Sequence, residues 1–362
     1  MPAFSPSQVA TTPKPRRFKL ASRAALRRIA ILFLFILLAL VYGYFAMIRM
    51  PGTSFRGPLP APTQDQKQLA EELRTSISIL ADATGGVGRV GNRSTFYPKR
   101  FAESAAWIHD QLSSYGYTQI NESFVERGGR TPNMEVVVPG TTHPGEIVLI
   151  GAHYDAFQGT PGADDNASGV AAVLHFARTY RSKPQPRTLR FVLFVNEEPP
   201  AFWTKDMGSW VYAKQCRAAS DNIVAMISIE SIGYYSDKPN SQMYPKPLDL
   251  AYPTTGDFIA FVSNYGSRSL NKHALSAFRA STRFPSEGAS PPGFFPGVGW
   301  SDHWSFWKEG YAAMMITDTA TFRNPFYHTP QDAPGTLDYD RTSRVVEGMH
   351  TVIDDLCDPK LW

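Results

Sequence analysis

Cysteine is nearly absent: the 362-residue chain has two, Cys216 and Cys357. Neither belongs to any cluster of metal-seeking residues, so a structural zinc site built on thiolates is excluded. An oxidising compartment would permit one bridge between them, and two buried thiols on separate helices is the other reading. Acidic residues are missing before Ile29, where Lys14, Arg16, Arg17, Lys19, Arg23, Arg27 and Arg28 supply seven cations. The formal net charge of +4 therefore becomes −3 for everything that follows. The basicity is a property of the tail, and a nucleic-acid partner loses its main support. Charge of either sign is missing from Ile29 to Ile48, a run long enough to cross a hydrocarbon core. No internal repeat is present, which leaves solenoids and arrays aside.

Tyr42 and Tyr44 sit near the far end of the apolar run, as interfacial aromatics do, and the cations flank its near end. The positive-inside bias then places the N-terminus in the cytoplasm and the rest of the chain outside, periplasmic or extracellular, on a single-pass anchor. A cleavable signal peptide is the rival, disfavoured because no A-x-A site follows the run. The expected divisions are a basic cytoplasmic tail over 1–28, a transmembrane helix over 29–48, a proline-rich linker over 49–63 and a catalytic domain over 64–362. The linker reads as a spacer holding that domain off the membrane. A chain trimmed to start near Gln64 would keep every candidate ligand.

What the exported part does have is five short clusters of metal-seeking residues: GAHYDAF with His153 and Asp155, GADDNASG with Asp164 and Asp165, VNEEPP with Glu197 and Glu198, SIES with Glu230, and YHTPQD with His328. Imidazole with carboxylate suits zinc, whereas an all-oxygen set would suit magnesium or calcium. On a strand the H-x-D spacing points His153 and Asp155 the same way, so Asp155 can accept the second ring proton of His153. In the glutamate pair, one carboxylate can hold metal while its neighbour faces water as general base. Each cluster alone is weak, since lone acids and histidines are commonly structural.

Placement raises their weight. GEIVLIGAHYD, TLRFVLFVNEE and NIVAMISIES are apolar runs ending in an acid or histidine, the pattern of buried parallel strands whose carboxyl ends carry function. Helical spacing predicts core faces at Leu69, Leu73, Ile77 and Leu80, and at Phe101, Ala105, Ile108 and Leu112. Further helices are expected over Ser168 to Tyr180, Met207 to Arg217 and Arg341 to Leu356, with strands at MEVVV and YAAMMIT. This alternation argues a layered α/β fold with helices on both faces of the sheet. Of the sequons at Asn92, Asn121 and Asn166, the third lies inside the candidate metal site. Ser301-Asp302-His303 is no catalytic triad, because sequence neighbours cannot line up as nucleophile, base and orienter. The aromatic, proline-rich GASPPGFFPGVGW before it looks like a wall of the substrate cleft.

At these residues the chain resembles the di-zinc aminopeptidase family that includes bacterial leucyl aminopeptidases, glutamate carboxypeptidase II and glutaminyl cyclases. The resemblance runs from about Pro132 to Asp340 and implies a central mixed β-sheet of the zinc exopeptidase kind. It implies that two zinc ions are held by His153, Asp165, Glu198, Glu230 and His328, with Asp165 rather than Asp164 bridging them. It makes Glu197 the general base, Tyr327 an oxyanion-stabilising hydroxyl and Asp302 a supporting residue that does not ligate metal. It also implies a cis peptide between Asp165 and Asn166. Many members carry Asp where this chain has Glu230, and an insertion at about 236–300 has no counterpart in the simplest members.

The expected activity is therefore exopeptidase action on peptides, aminopeptidase first. The alternatives are a glutaminyl cyclase-like mono-zinc acyltransferase and a non-enzymatic binding module on the same scaffold.

Overall fold

The computed structural model describes residues 22–82, 93–125 and 131–362. Lys14, Arg16, Arg17, Lys19 and the Asn92 sequon lie outside the described residues. The chain divides into two compact units after Tyr44. The first contains helix α1 (Arg23–Gly43), which Ser22 caps through its side chain and one π-helical turn (Tyr44–Ile48) extends. With that turn it is a 26-residue helix, long and apolar enough to cross a membrane. None of its residues is buried.

The second unit is built on an eight-stranded mixed sheet in the order β1-β2-β4-β3-β5-β8-β6-β7. The strands are β1 (Asn121–Phe124), β2 (Pro132–Val138), β3 (His143–His153), β4 (Arg187–Phe194), β5 (Asn222–Glu230), β6 (Ile259–Ser263), β7 (Ser286–Ala289) and β8 (Ala313–Thr317). Its centre, β4-β3-β5-β8, is parallel, so the ends of β3, β4 and β5 deliver His153, the glutamate pair and Glu230 to one edge. The flanking pairs β2–β4 and β6–β8 are antiparallel.

Side chains alternate across β3. Val148, Ile150 and Ala152 join the larger core, under α2 (Gln64–Leu80), α3 (Pro98–Ser114), α4 (Gly169–Tyr180), α6 (Arg268–Ser281) and α8 (Tyr339–Cys357). Ile147 and Leu149 join the smaller one, under α5 (Gly208–Ala218) and α7 (His303–Lys308). Layering on both faces explains why the central strands read as continuous apolar runs. Leu69, Leu73, Ile77, Leu80, Phe101, Ile108 and Leu112 are buried, with Ala105 packed at the margin. Cys357 belongs to the larger core and Cys216 to the smaller, and both are free thiols. A sheet between them keeps them beyond disulfide reach.

The insertion at about 236–300 supplies β6, α6 and β7, two strands of the sheet and the helix between them. One region differs from the expectation. The proline-rich stretch is packed rather than free. Ser286 N donates to Ser54 Oγ at 3.0 Å, Arg279 Nη1 to the Pro51 carbonyl at 2.7 Å, and Arg344 Nη2 to the Pro60 carbonyl at 2.7 Å. Met50 lies against Gly288, where a Cβ would stand 2.9 Å from its Cγ. The stretch thereby covers the outer edge of β7, a row of backbone groups that natural sheets seldom leave open.

Candidate metal centre

His153 closes β3 and is 1 % exposed. After β4 the chain passes through Asn196 in the left-handed region (φ 58°), a turn that Asn tolerates, and presents Glu197 and Glu198. The Asp155 carboxylate fixes that turn by accepting the backbone N–H groups of Glu197 (3.1 Å) and Glu198 (3.0 Å). Its distance from His153 Nδ1 is 3.6 Å, too long for the hydrogen bond expected from the H-x-D spacing. Asp155 thus acts chiefly on the glutamate pair.

Asp165 sits on the turn entering α4, and the Asp165–Asn166 peptide is cis. Gly162 ahead of it has φ 65°, and a Cβ there would stand 2.4 Å from the Asp165 carbonyl, so the turn requires glycine. Asn166 is fully buried, donates to the Ile229 carbonyl and accepts from Gly169 and Ser231 N–H groups, which removes it as a glycosylation site.

Five side chains form two sets that share one member. His153 Nε2 lies 3.3 Å from Asp165 Oδ1 and 3.1 Å from Glu230 Oε2. His328 Nε2 lies 3.1 Å from Asp165 Oδ2 and 3.3 Å from Glu198 Oε2. Atoms about 2.0–2.2 Å from one tetrahedral zinc stand roughly 3.3–3.6 Å apart, which matches these spacings. His328 Nε2 and Asp165 Oδ2 face each other without making a hydrogen bond, as two ligands of one ion do. Glu197 belongs to neither set.

Charge makes the same demand. Asp155, Asp165, Glu197, Glu198, Glu230 and Asp302 are all at most 6 % exposed and outnumber the two imidazoles and the Arg93 guanidinium near them. Uncompensated buried carboxylates are costly, so the cluster calls for cations. Burial pushes the Glu197 carboxyl well up, with Glu198, Glu230 and Asp302 adding to it against the pull of His153. Glu198 is raised to about 8, by burial and by Asp165. For Asp165 burial acts upward too, but His153 and His328 outweigh it and hold the carboxyl below its usual range. Burial would lower His328, yet Asp165 and Glu198 raise it to about 10. The donor set therefore fits zinc in both charge and ligand type.

Several supporting residues carry little sequence signal. Arg93 is fully buried and donates to the carbonyls of Tyr154 (2.9 Å), Leu80 (2.8 Å), Pro161 (2.9 Å) and Gly162 (2.8 Å), tying α2 to the turn that precedes Asp165. Asp332 accepts the backbone N–H groups of Asp164 (2.9 Å) and Asp165 (3.2 Å). Asp164 points away from the metal sets to Gly233 N and Asn324 Nδ2. Ser301 and Ser231 hydroxyls each donate to Glu230 at 2.9 Å, while His303 contacts the Val298 carbonyl at 2.7 Å, so the S-D-H run is dispersed. Asp302 stands among His153, Glu230 and Asp155 and is raised to about 7, chiefly by burial. Tyr327 stacks on His328 with centroids 3.9 Å apart, and burial together with the nearby carboxylates pushes its phenol well up.

Beside Glu230 and Tyr327 opens an apolar cleft. Its walls include Ala260 and Met315 from the sheet, Tyr244 and Leu248 from the insertion, and Val298 and Trp300 from the proline-rich loop. The loop is thus a cleft wall, as its composition suggested.

The profile of peptidase family M28 matches residues 133–353. The Escherichia coli (strain K12) protein YfbL is 36 % identical over 253 residues, covering 65 % of this chain and 77 % of that one. Aminopeptidase YwaD of Bacillus subtilis is 27 % identical over 194 residues, 53 % of this chain but only 36 % of its own length. Among solved structures, LapB from Legionella pneumophila superimposes with a TM-score of 0.61 at 20 % identity, covering 85 % of this chain and 78 % of that one. A Bacteroides thetaiotaomicron glutaminyl cyclase gives 0.59 at 15 %, covering 82 % and 99 %. At those identities the structural matches establish the fold alone. The profile spans more than half of the chain and contains all five clusters, and on that ground the chain belongs to peptidase family M28 and is a zinc-dependent peptidase.

Proposed function

We propose that the protein is a membrane-anchored di-zinc exopeptidase, acting as an aminopeptidase outside the cytoplasm. Asp165 carries this reading, because its two carboxylate oxygens face separate histidine-carboxylate sets. His153, Asp165 and Glu230 would hold one ion, and Asp165, Glu198 and His328 the other. Zinc bound there would supply Lewis acidity and lower the pKa of water.

The chain's own groups do the rest. Glu197, outside both ligand sets, takes the proton of the attacking water and returns it to the leaving amine. The Tyr327 hydroxyl donates a hydrogen bond to the oxyanion that develops on the scissile carbonyl. Asp155 keeps Glu197 and Glu198 in place through their backbone N–H groups, and Asp302 adds negative charge around His153. The apolar cleft beside Glu230 and Tyr327 favours an apolar side chain next to the scissile bond.

An apolar N-terminal span preceded by seven cations supports a cytoplasmic N-terminus and an exported catalytic domain, residues 64–362 with the insertion at 236–300. Incubating the full chain with a peptide library and sequencing the products tests the activity. Shortening from the amino end with preference for apolar residues is expected; shortening from the carboxyl end, or cyclisation of N-terminal glutamine without hydrolysis, would overturn it.

A further inference from the structure

Glu230 ends β5, and the register of the sheet carries one row outward from it. Glu230 pairs with Thr317 of β8, Thr317 with Ala260 of β6, and Ala260 with Glu287 of β7. Residues paired across strands present their side chains on one face. All four line the apolar cleft. The cleft is therefore a trough laid across the sheet, with a candidate metal ligand at its inner end, two small side chains on its floor and a second carboxylate at its outer end. Three steps between neighbouring strands set the two glutamate backbones roughly 14 Å apart.

Which part of a peptide enters follows from the inner end. Glu230 and Tyr327 line the cleft there, whereas Glu197, which returns the proton to the leaving amine, is not among the described lining residues. The cleft accordingly takes the residue on the carbonyl side of the scissile bond. For an aminopeptidase that is the N-terminal residue.

Among the described lining residues the charged ones are Glu230 and Glu287, and the Glu287 side chain is 15 % exposed. Its Oε1 accepts from Arg56 at 2.8 Å, and Arg279 Nη2 stands 3.8 Å from its Oε2. Arg279 is occupied elsewhere, donating to the carbonyls of Ser286 and Pro51. The Arg56 side chain is 61 % exposed and can turn into water. Burial, with Asp257 adding to it, leaves the Glu287 carboxyl raised in spite of both guanidiniums, so a further cation there is favourable. Lysine and arginine lay their apolar stems along apolar surface and bring the charged head to a polar group. Tyr244, Leu248, Val262 and Met315 suit the stem, and Glu287 suits the head, which can take the place of Arg56. A substrate carboxylate would instead meet like charge.

We propose that Glu287 is a specificity-determining residue: it lets the cleft accept lysine and arginine alongside apolar N-terminal residues and refuse aspartate and glutamate. This rests on the aminopeptidase reading above and deepens it.

The test uses the full chain loaded with zinc and tripeptides Xaa-Ala-Ala in which Xaa is norleucine, lysine or glutamate; norleucine has the stem of lysine without its ammonium group. Wild-type kcat/KM should be of the same order for lysine and norleucine and about a hundredfold lower for glutamate. In Glu287→Gln the lysine-to-norleucine ratio should fall about tenfold or more, the size of a lost hydrogen bond to a charged group. In Arg56→Ala, which removes the competing cation by changing an exposed side chain, the ratio should rise several-fold. That variant decides the matter if Glu287→Gln does not fold. A ratio unmoved in folded Glu287→Gln, or unmoved in Arg56→Ala, with norleucine still released, overturns the role of Glu287 and leaves the aminopeptidase reading intact. Release of the N-terminal residue from none of the tripeptides refutes the reading and the inference together.

Discussion

Phe157 stacks on His328, with ring centroids 4.1 Å apart and planes inclined by 13°. Tyr327 stacks on the same imidazole at 3.9 Å. His328 is the more exposed of the two histidines, 26 % against 1 % for His153, and its backbone is in the left-handed region at φ 57°. Stacking is therefore what holds its ring at Asp165 and Glu198. Phe157→Ala should weaken zinc binding at the His328 set about tenfold or more, the size expected when support for a ligand is lost. Competition with a zinc chelator measures it; unchanged affinity would remove Phe157 from the site.

Glu197→Gln keeps the shape of the side chain but cannot accept a proton. Turnover should fall by roughly a hundredfold to ten-thousandfold while zinc remains bound. If zinc is lost instead, the roles of Glu197 and Glu198 are exchanged.

Arg93→Met would take the guanidinium from four buried carbonyls, of which that of Gly162 keeps the Ala167 N–H. A cost of about 3 kcal/mol or more is expected, since hydrogen bonds from a charged donor contribute about 1.5–3 kcal/mol each. Denaturant unfolding should show the midpoint falling with the slope unchanged. A shift under about 1 kcal/mol would mean that water replaces the guanidinium at little cost.

His350, on α8, is lowered to about 4 by burial and by His175 and Lys183, against the opposing pull of Asp354. The folded protein keeps it neutral, whereas the unfolded chain takes up a proton below about pH 6.5. Stability due to this group is full above that pH and is lost as pH falls toward about 4, by up to about 3 kcal/mol. The thermal midpoint of His350→Gln should therefore decline less steeply than that of the wild type over this window. Parallel declines would show that other groups govern acid unfolding.

What the sequence made legible is what burial on two faces makes legible. β3, β4 and β5 are central and parallel, so they appear as apolar runs, and their ends name His153, Glu197, Glu198 and Glu230. The outlying strands gave no such pattern: Asn121–Phe124 is largely exposed, and Ser286–Ala289 reads SEGA. Arg93, Asp332 and Phe157 work through carbonyls, backbone N–H groups and a ring face brought together from distant parts of the chain, and no local spacing reports such contacts. Asp332 had a faint signal as the acid closing YHTPQD. The proline-rich stretch looked like a free spacer because proline content speaks to stiffness and not to docking. Trimming to Gln64 would keep every ligand but strip the cover from β7, so a chain begun at Phe45 is the better soluble form.

The number of zinc ions in the fully active protein tests the central claim most directly. Titrating zinc into chelator-stripped enzyme while following both bound metal and hydrolysis should give full activity only as occupancy approaches two per chain, with Asp165→Asn impairing both sites. Full activity at one zinc per chain, with a second ion neither bound nor needed, would contradict the shared role of Asp165.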